Sequence, residues 1–483
     1  MEHDQCDSMA ATHPHNTLKG DTAIHPAISQ AETTRYYPQP TSVTVQSPTL
    51  MSKTVCPQSG WTPSLGWTPW GPGTKDGSMA SGDAIAGAGL SASEPVYDEA
   101  RAWYEEHWDP EIPVGHWWQL LASSGWGLPR WPADRFGRGL SHVEAHAADR
   151  ARNDVGAFGP PSGVGVTLVA PTIFDHGPTE LLDRFLPAIA HGRSMWCQLF
   201  SEPGAGSDLA GLATAAQRDG DTWVVNGQKV WTSGGHLAHW AVLMARTDPT
   251  APKHRGISFF IIDMGQPGVE VRPLRDMTGD SEFNEVFLTD AVVHDGNLIG
   301  QLHDGWRVAM TMLAVERDLD AVGHDGGGDV LNAVDLTLPV GRVQHEQLHG
   351  TASSGFSYSS GSRKDNVTMA FIGDAAATDP VVRHIAVRAM IERRVLDWNG
   401  LRQVSPSAVK VQNADLCRDL RDLGFAGAGM PAQLGRPDQP DGGHFLKSAL
   451  FAQGMAIAGG TDEIQRNIVG ERVLGLPKEP RPD

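Results

Sequence analysis

The sequence predicts an α+β fold: a helical N-terminal domain, a middle antiparallel β domain and a C-terminal helical bundle, all preceded by a disordered tail. Three observations predict it. Capped stretches with helical spacing fill 93–193, and short β-rich runs separated by turn residues fill 194–300. Amphipathic helical patterns then return over 301–483.

Residues 1–92 are rich in Pro, Ser, Thr and Gly and show neither period. "WTPSLGWTPWGPG" at 61–73 has proline too often for a helix or a central strand. Such a segment buries too little apolar surface to offset its ordering entropy, so a disordered tail is expected. Order is expected from Ser93, where "SEPVYDEARAWYEEHWD" opens with a capping pattern. "GHWWQLLASSGW" reads as a helix stopped by Gly125, and "PTELLDRFLPAIAHG" as one ended by Gly192. Between them "LSHVEAHAADRARNDVGA" is also helical.

The period changes near 194. "TWVVNGQKVWTS" predicts two strands turning at Asn226–Gly227, since Asn-Gly is the strongest short hairpin signal. "WAVLMART", "GISFFIID", "VEVRPL" and "EVFLTDAVV" extend the β domain. After His303–Asp304–Gly305, "GWRVAMTMLAVERDLDAV" carries apolar residues at 306, 310 and 313, one helical stripe. The helices "DPVVRHIAVRAMIERRVLDWNGLR", "SAVKVQNADLCRDLRDLGF" and "HFLKSALFAQGMAIAGG" complete the bundle. Residues 322–377 are Gly-, Ser- and Asp-rich and weakly patterned, and read as an irregular insertion or partly disordered loop.

A net charge of −19 argues against a nucleic-acid partner or a polybasic membrane surface. No run of 18 apolar residues predicts a membrane span, and the N-terminus lacks an export pattern. The four cysteines form no C-x-x-C pair, and His236 and His239 lack convergent partners, so no metal is expected. A cytoplasmic protein is the resulting expectation.

The stretch "CQLFSEPGAGSDL" at 197–209 places Gly204 and Gly206 between two serines. It is neither G-x-G-x-x-G nor a P-loop. Its glycines let backbone N–H groups approach a polar ligand, although spacing alone fits an ordinary turn equally well.

Six signatures occur in order: "CQLFSEPGAGSDLAG", "VNGQKVWTSGG", "ARTDPTAPKHRGISFFIIDM", "MTGDSEFNEVFLTD", "DGWRVAMTMLAVER" and "AGGTDEIQRNIVGERVLGLPKEPR". Together they resemble the acyl-CoA dehydrogenase family, over roughly 93–320 and 379–480. The resemblance implies an acyl-CoA dehydrogenase-like fold ending in a four-helix bundle. It also implies FAD, an acyl-CoA thioester oxidised to the trans-2-enoyl-CoA, and an electron-transfer flavoprotein as acceptor. Family members complete FAD sites across subunits, which implies a homo-oligomer or possibly a hetero-oligomer. A non-catalytic partner subunit and an acyl-CoA oxidase on the same scaffold are the alternatives.

By matching motifs, Gln198, Leu199 and Phe200 line the flavin, and the Ser201 hydroxyl meets its ring. Ser207 faces the pyrophosphate and thioester, Trp231 flanks the flavin, Ser233 lies near N5, and Thr232 is a further cofactor contact. Thr461 and Glu463 contact cofactor, while Gly459, Gly460 and Arg317 contact substrate. Many members place the catalytic Glu where this chain has Gly459. The family's second solution is a Glu before the Arg of the first bundle helix, here Glu316–Arg317, so Glu316 is the expected base. Glu316 shares a helix face with Met312 and Leu313, and partial burial strengthens a carboxylate base. Glu463 stands where Gln is common, and the Arg-x-x-Phe-Gly signature is missing, with Arg383 the next candidate.

Overall fold

The computed structural model describes residues 83–316, 334–349, 375–376, 378–402, 404–434 and 444–478. Most of the expected tail, most of 322–377 and Arg317 lie outside these residues.

The helical region opens with α1 (Asp83–His107), ahead of the expected start at Ser93, and Pro95 sits inside the helix rather than at its cap. Helix α2 (Val114–Ser124) stops where Gly125 takes φ +76°. Ser141 and Glu144 form a capping box at the start of α3 (His142–Val155). A π-helical turn at Gly165–Val169 leads into α4 (Ala170–His176), followed by α5 (Thr179–Ala190).

The sheet comprises β1 (Trp196–Leu199), β2 (Ala215–Asp219), β3 (Thr222–Ser233), β4 (Trp240–Arg246), β5 (Ile257–Asp263), β6 (Val269–Leu274), β7 (Phe283–His294) and β8 (Leu298–Ile299). Its order is β6-β7-β3-β2-β4-β5-β8, with β1 also on β4. Pairing is antiparallel except that β1, and β2 at Ala215, run parallel to β4. Strand β5 reads as a continuous apolar run because both its faces are covered. Ile257, Phe259 and Ile261 pack with α4, α5 and α6 residues, while Phe260 and Ile262 face Val286 and Leu288 of β7.

The expected hairpin at Asn226–Gly227 is not formed. Both residues lie inside the single strand β3, which pairs with β7 on either side of a bulge there. Asn226 exchanges hydrogen bonds with Asp290 instead. Gly227 meets a different need: a Cβ there would lie 2.3 Å from Thr214 Oγ1. The turn joining β2 to β3 falls at Gly220–Asp221.

Helix α6 (Gly305–Glu316) packs Val308, Ala309 and Met312 into the helix-facing core. Part of the weakly patterned segment is ordered, since 334–349 carries α7 (Val340–His349) and fastens onto the first helices. Val114 N donates to Leu338 O, Gly115 N to Leu336 O and Val340 N to Ile112 O. Leu336, Leu338, Val340 and Val343 join the core around Trp117. The bundle continues with α8 (Pro380–Leu401), α9 (Pro406–Ala428), α10 (His444–Met455) and α11 (Asp462–Ile468). Among the described residues no helix is long and apolar enough to cross a membrane.

Candidate functional site

The loop from Phe200 to Thr214 leaves β1 and enters β2. Ser201 is half-buried and Ser207 exposed. An added Cβ at Gly204 or Gly206 would meet no atom within 4 Å, so the backbone there faces open space. Val230 N donates to Ser201 O at 2.9 Å, which sets the loop against the far half of β3. That half carries Trp231, Thr232 and Ser233, so the structure brings this group together with Ser201.

Trp231 is strained and exposed: φ is +61° and 56% of the residue is accessible, with the ring edge-on to Phe283. A bulky residue at positive φ is a backbone outlier of the kind that clusters at ligand sites. Thr232 is buried, and its Oγ1 is shielded from solvent without a hydrogen bond. Ser233 is half-buried beside it. A flat exposed indole, an unanswered hydroxyl and open backbone suit a planar, polar-edged ligand such as a flavin. Phe200 is buried edge-on against Phe259 and Gln198 is half-buried. Leu199 departs from the expected lining role: it is fully buried in the opposite core with Leu243 and Phe260, leaving only its backbone to a ligand.

Lys229 was missed as a functional residue, although it stands inside a quoted motif. It is fully buried and donates to Phe200 O (3.1 Å), Met244 O (2.9 Å) and Glu202 Oε1 (2.8 Å). Those acceptors use all three ammonium protons. Burial lowers the Lys229 pKa to about 8 against the pull of Glu202. Burial pushes the Glu202 carboxyl up, but Lys229 and the donors at Ala213 and Thr214 outweigh it, and the net direction is down. Three acceptors around the ammonium and two backbone donors on the carboxylate suit a charged pair. A lysine before an apolar run reads as a solvated residue, which hid this role.

Glu316 is half-buried at the last described position of α6, with Oε2 shielded from solvent. The helix is held from the side by His176, which bonds Thr311 (2.7 Å) and Arg307 (3.0 Å). Met312 packs in the same core as Phe200, which ties the helix carrying Glu316 to the base of the loop.

The glycine turn lies between α10 and α11. Gly459 and Gly460 take φ +65° and +91°, where other residues are strained. Gln465 donates to Gly459 O at 2.6 Å, and buried Asp462 is held by Lys410 (2.7 Å) and Arg418 (3.1 Å). Thr461 departs from a simple ligand contact because its hydroxyl caps α11, accepting from Ile464 N. Glu463 is exposed, and its carboxylate turns back to its own backbone and Thr461, which hold its pKa down. The Glu463 charge thus lies at the helix N-terminus, where a carboxylate is favourable. Arg383 donates to Ala376 O within α8's own approach.

Comparison with known proteins identifies the family. The family model for the acyl-CoA dehydrogenase middle domain matches residues 197–291. Acyl-CoA dehydrogenase IpdE1 of Mycobacterium tuberculosis is 37% identical over 376 residues, covering 75% of this chain and 88% of that one. The Mycolicibacterium smegmatis protein of the same name is 34% identical over 396 residues, with the same coverages. The solved structure titled Tcur3481-Tcur3483 steroid ACAD matches with TM-score 0.59 and 25% identity, covering 80% of this chain and 98% of its own. The ChsE4-ChsE5 complex from Mycobacterium tuberculosis matches with TM-score 0.57 at 25% identity and the same coverages. The chain belongs to the acyl-CoA dehydrogenase family, oxidoreductases that are FAD-dependent flavoproteins acting on acyl-CoA thioesters.

Proposed function

We propose that this chain binds FAD and oxidises an acyl-CoA thioester to the trans-2-enoyl-CoA, passing electrons to an electron-transfer flavoprotein. The observation that carries the reading is the joining of Ser201 to the Trp231–Ser233 strand end through Val230, with the Thr232 hydroxyl unanswered beside it. Bound FAD supplies the hydride acceptor for the β-carbon. The chain supplies orientation and the proton acceptor. Gln198, Phe200, Ser201, Trp231, Thr232 and Ser233 hold the ring, and Ser207 reaches the pyrophosphate and thioester side. The amides of Gly459 and Gly460 donate to the thioester oxygen as negative charge develops there. Glu316, on a helix anchored in the site's own core, takes the α-proton, and Arg317 assists substrate binding.

A paired assembly fits the exposed surface. Val387, Met390, Ile391 and Trp398 stand exposed on α8 at spacings that share one side of a helix. The titles of two similar structures name pairs of proteins, and a second acyl-CoA dehydrogenase subunit, like or unlike, suits this face. One of them is also titled a steroid enzyme, which makes ring-bearing acyl groups the first to test. A second reading, a non-catalytic subunit, is favoured by the glycine at 459. Purifying the chain alone separates the two. A yellow protein that bleaches anaerobically with one of a panel of straight, branched and ring-bearing acyl-CoA esters supports the enzyme. A colourless protein that gains flavin only with a second chain supports the subunit.

A further inference from the structure

Strands β1 and β2 lie end to end along one edge of β4. Leu199 pairs with Leu243 and Ala215 with Arg246, so the loop leaves and re-enters the sheet at points about 10 Å apart at ordinary strand rise. The Met244 carbonyl falls in the interval, and the Lys229 ammonium reaches it from β3. The same ammonium takes Phe200 O at the loop's start and Glu202 Oε1. Glu202 then accepts from Ala213 N (2.6 Å) and Thr214 N (3.0 Å) at the loop's end. One buried ion pair therefore answers four backbone groups that the interrupted ladder leaves over. An apolar pair of equal volume would fill the space and leave all four unpaired.

We propose that the Lys229–Glu202 pair is a latch that positions the 201–213 loop, holding the Ser201 hydroxyl and the backbone of Gly204–Gly206 where FAD meets them. Lys229 is a positioning residue, since it touches the loop and not the reacting atoms. The latch works from inside the sheet. Arg246 steadies the outer side of the loop through Ala210 O and Leu212 O. This inference rests on the FAD reading above for its functional consequence, but not for its structural one.

The test uses the full chain, with hydrogen exchange read without added flavin and FAD binding read by titration. Glu202→Gln is isosteric but turns one acceptor into a donor. It should speed exchange at Ala213 and Thr214, and weaken FAD binding, each by about tenfold, the size expected for losing a charge-assisted hydrogen bond. Amides of β5 should stay protected. In Lys229→Met with Glu202→Leu, both charges go together and the core should stay folded, yet loop exchange should remain fast and FAD binding weak. A pair that only filled space would return both readouts to native values in that double variant, and this result overturns the latch. Unchanged exchange at Ala213 and Thr214 in Glu202→Gln overturns it as well. If the native chain binds no FAD, the cofactor reading fails while the exchange data still decide the latch.

Discussion

The sheet and the C-terminal bundle bury apolar surface in opposite ways. Every residue of β5 from Ile257 to Ile262 is buried, as are Ala241 to Ala245 of β4, because layers cover both faces. Helix α8 buries Val382, Ala386, Ala389 and Leu396 on one side and exposes Val387, Met390, Ile391 and Trp398 on the other. The sheet region is complete within one chain. Among the described residues the bundle leaves this apolar face open, and under the proposed pairing with a second subunit substitutions in the two regions should fail in different ways.

Phe259→Ala should break the first half of the comparison with the largest effect. It removes a fully buried ring from β5, and the expected loss is about 3–5 kcal/mol, read as a shift in chemical denaturation midpoint. Trp398→Glu should break the second half differently. The monomer's unfolding free energy should move by no more than about 0.5 kcal/mol, as for an exposed site. Sedimentation should show the assembly falling to monomers, whereas an unchanged sedimentation profile would remove α8 from the interface. Gly459→Ala sharpens the contrast within the site. The position has open space for a methyl group but a φ of +65°, so the expected cost is about 1 kcal/mol from backbone strain alone.

The smallest effect concerns pH. Burial, then the neighbouring Arg307, lowers the His176 pKa in the folded state. A depressed histidine contributes stability that is present above its unfolded pKa of about 6.5 and declines as pH falls below that value. His176→Asn should therefore flatten the fall in melting temperature between neutral pH and about pH 5 relative to native protein. A parallel pair of curves would show that His176 carries no part of the acid sensitivity.

Much of this architecture was legible because local chemistry and tertiary position agree. Gly125 stops α2 through positive φ, and Ser141 with Glu144 caps α3. The continuous apolar run of β5 announces a strand covered twice. The misses occur where a long-range contact decides. Asn226–Gly227 has the local signature of a hairpin, but β7 pairs across it and Thr214 presses on the glycine. The 334–349 segment carries only a few apolar anchors, too short a pattern to reveal that it docks on α2. In the site, the Ser201 loop and the Trp231–Ser233 strand end were both named from sequence, and the structure joins them. Lys229 was hidden because a buried lysine is recognisable only through acceptors at Phe200, Glu202 and Met244, which are distant in the chain. Thr461 differs, because its cap on the helix that begins one residue later is a local contact with Ile464 N.

The central claim is that the carboxylate on α6 removes the substrate's α-proton, while Gly459 lends only its backbone. Its most direct test is anaerobic flavin reduction in Glu316→Gln, mixed with an acyl-CoA that bleaches the native protein. The account predicts retained flavin and ligand binding, with the reduction rate lowered by at least about a thousandfold, within the range general-base catalysis contributes. Bleaching at a near-native rate would contradict it and assign the proton to another group.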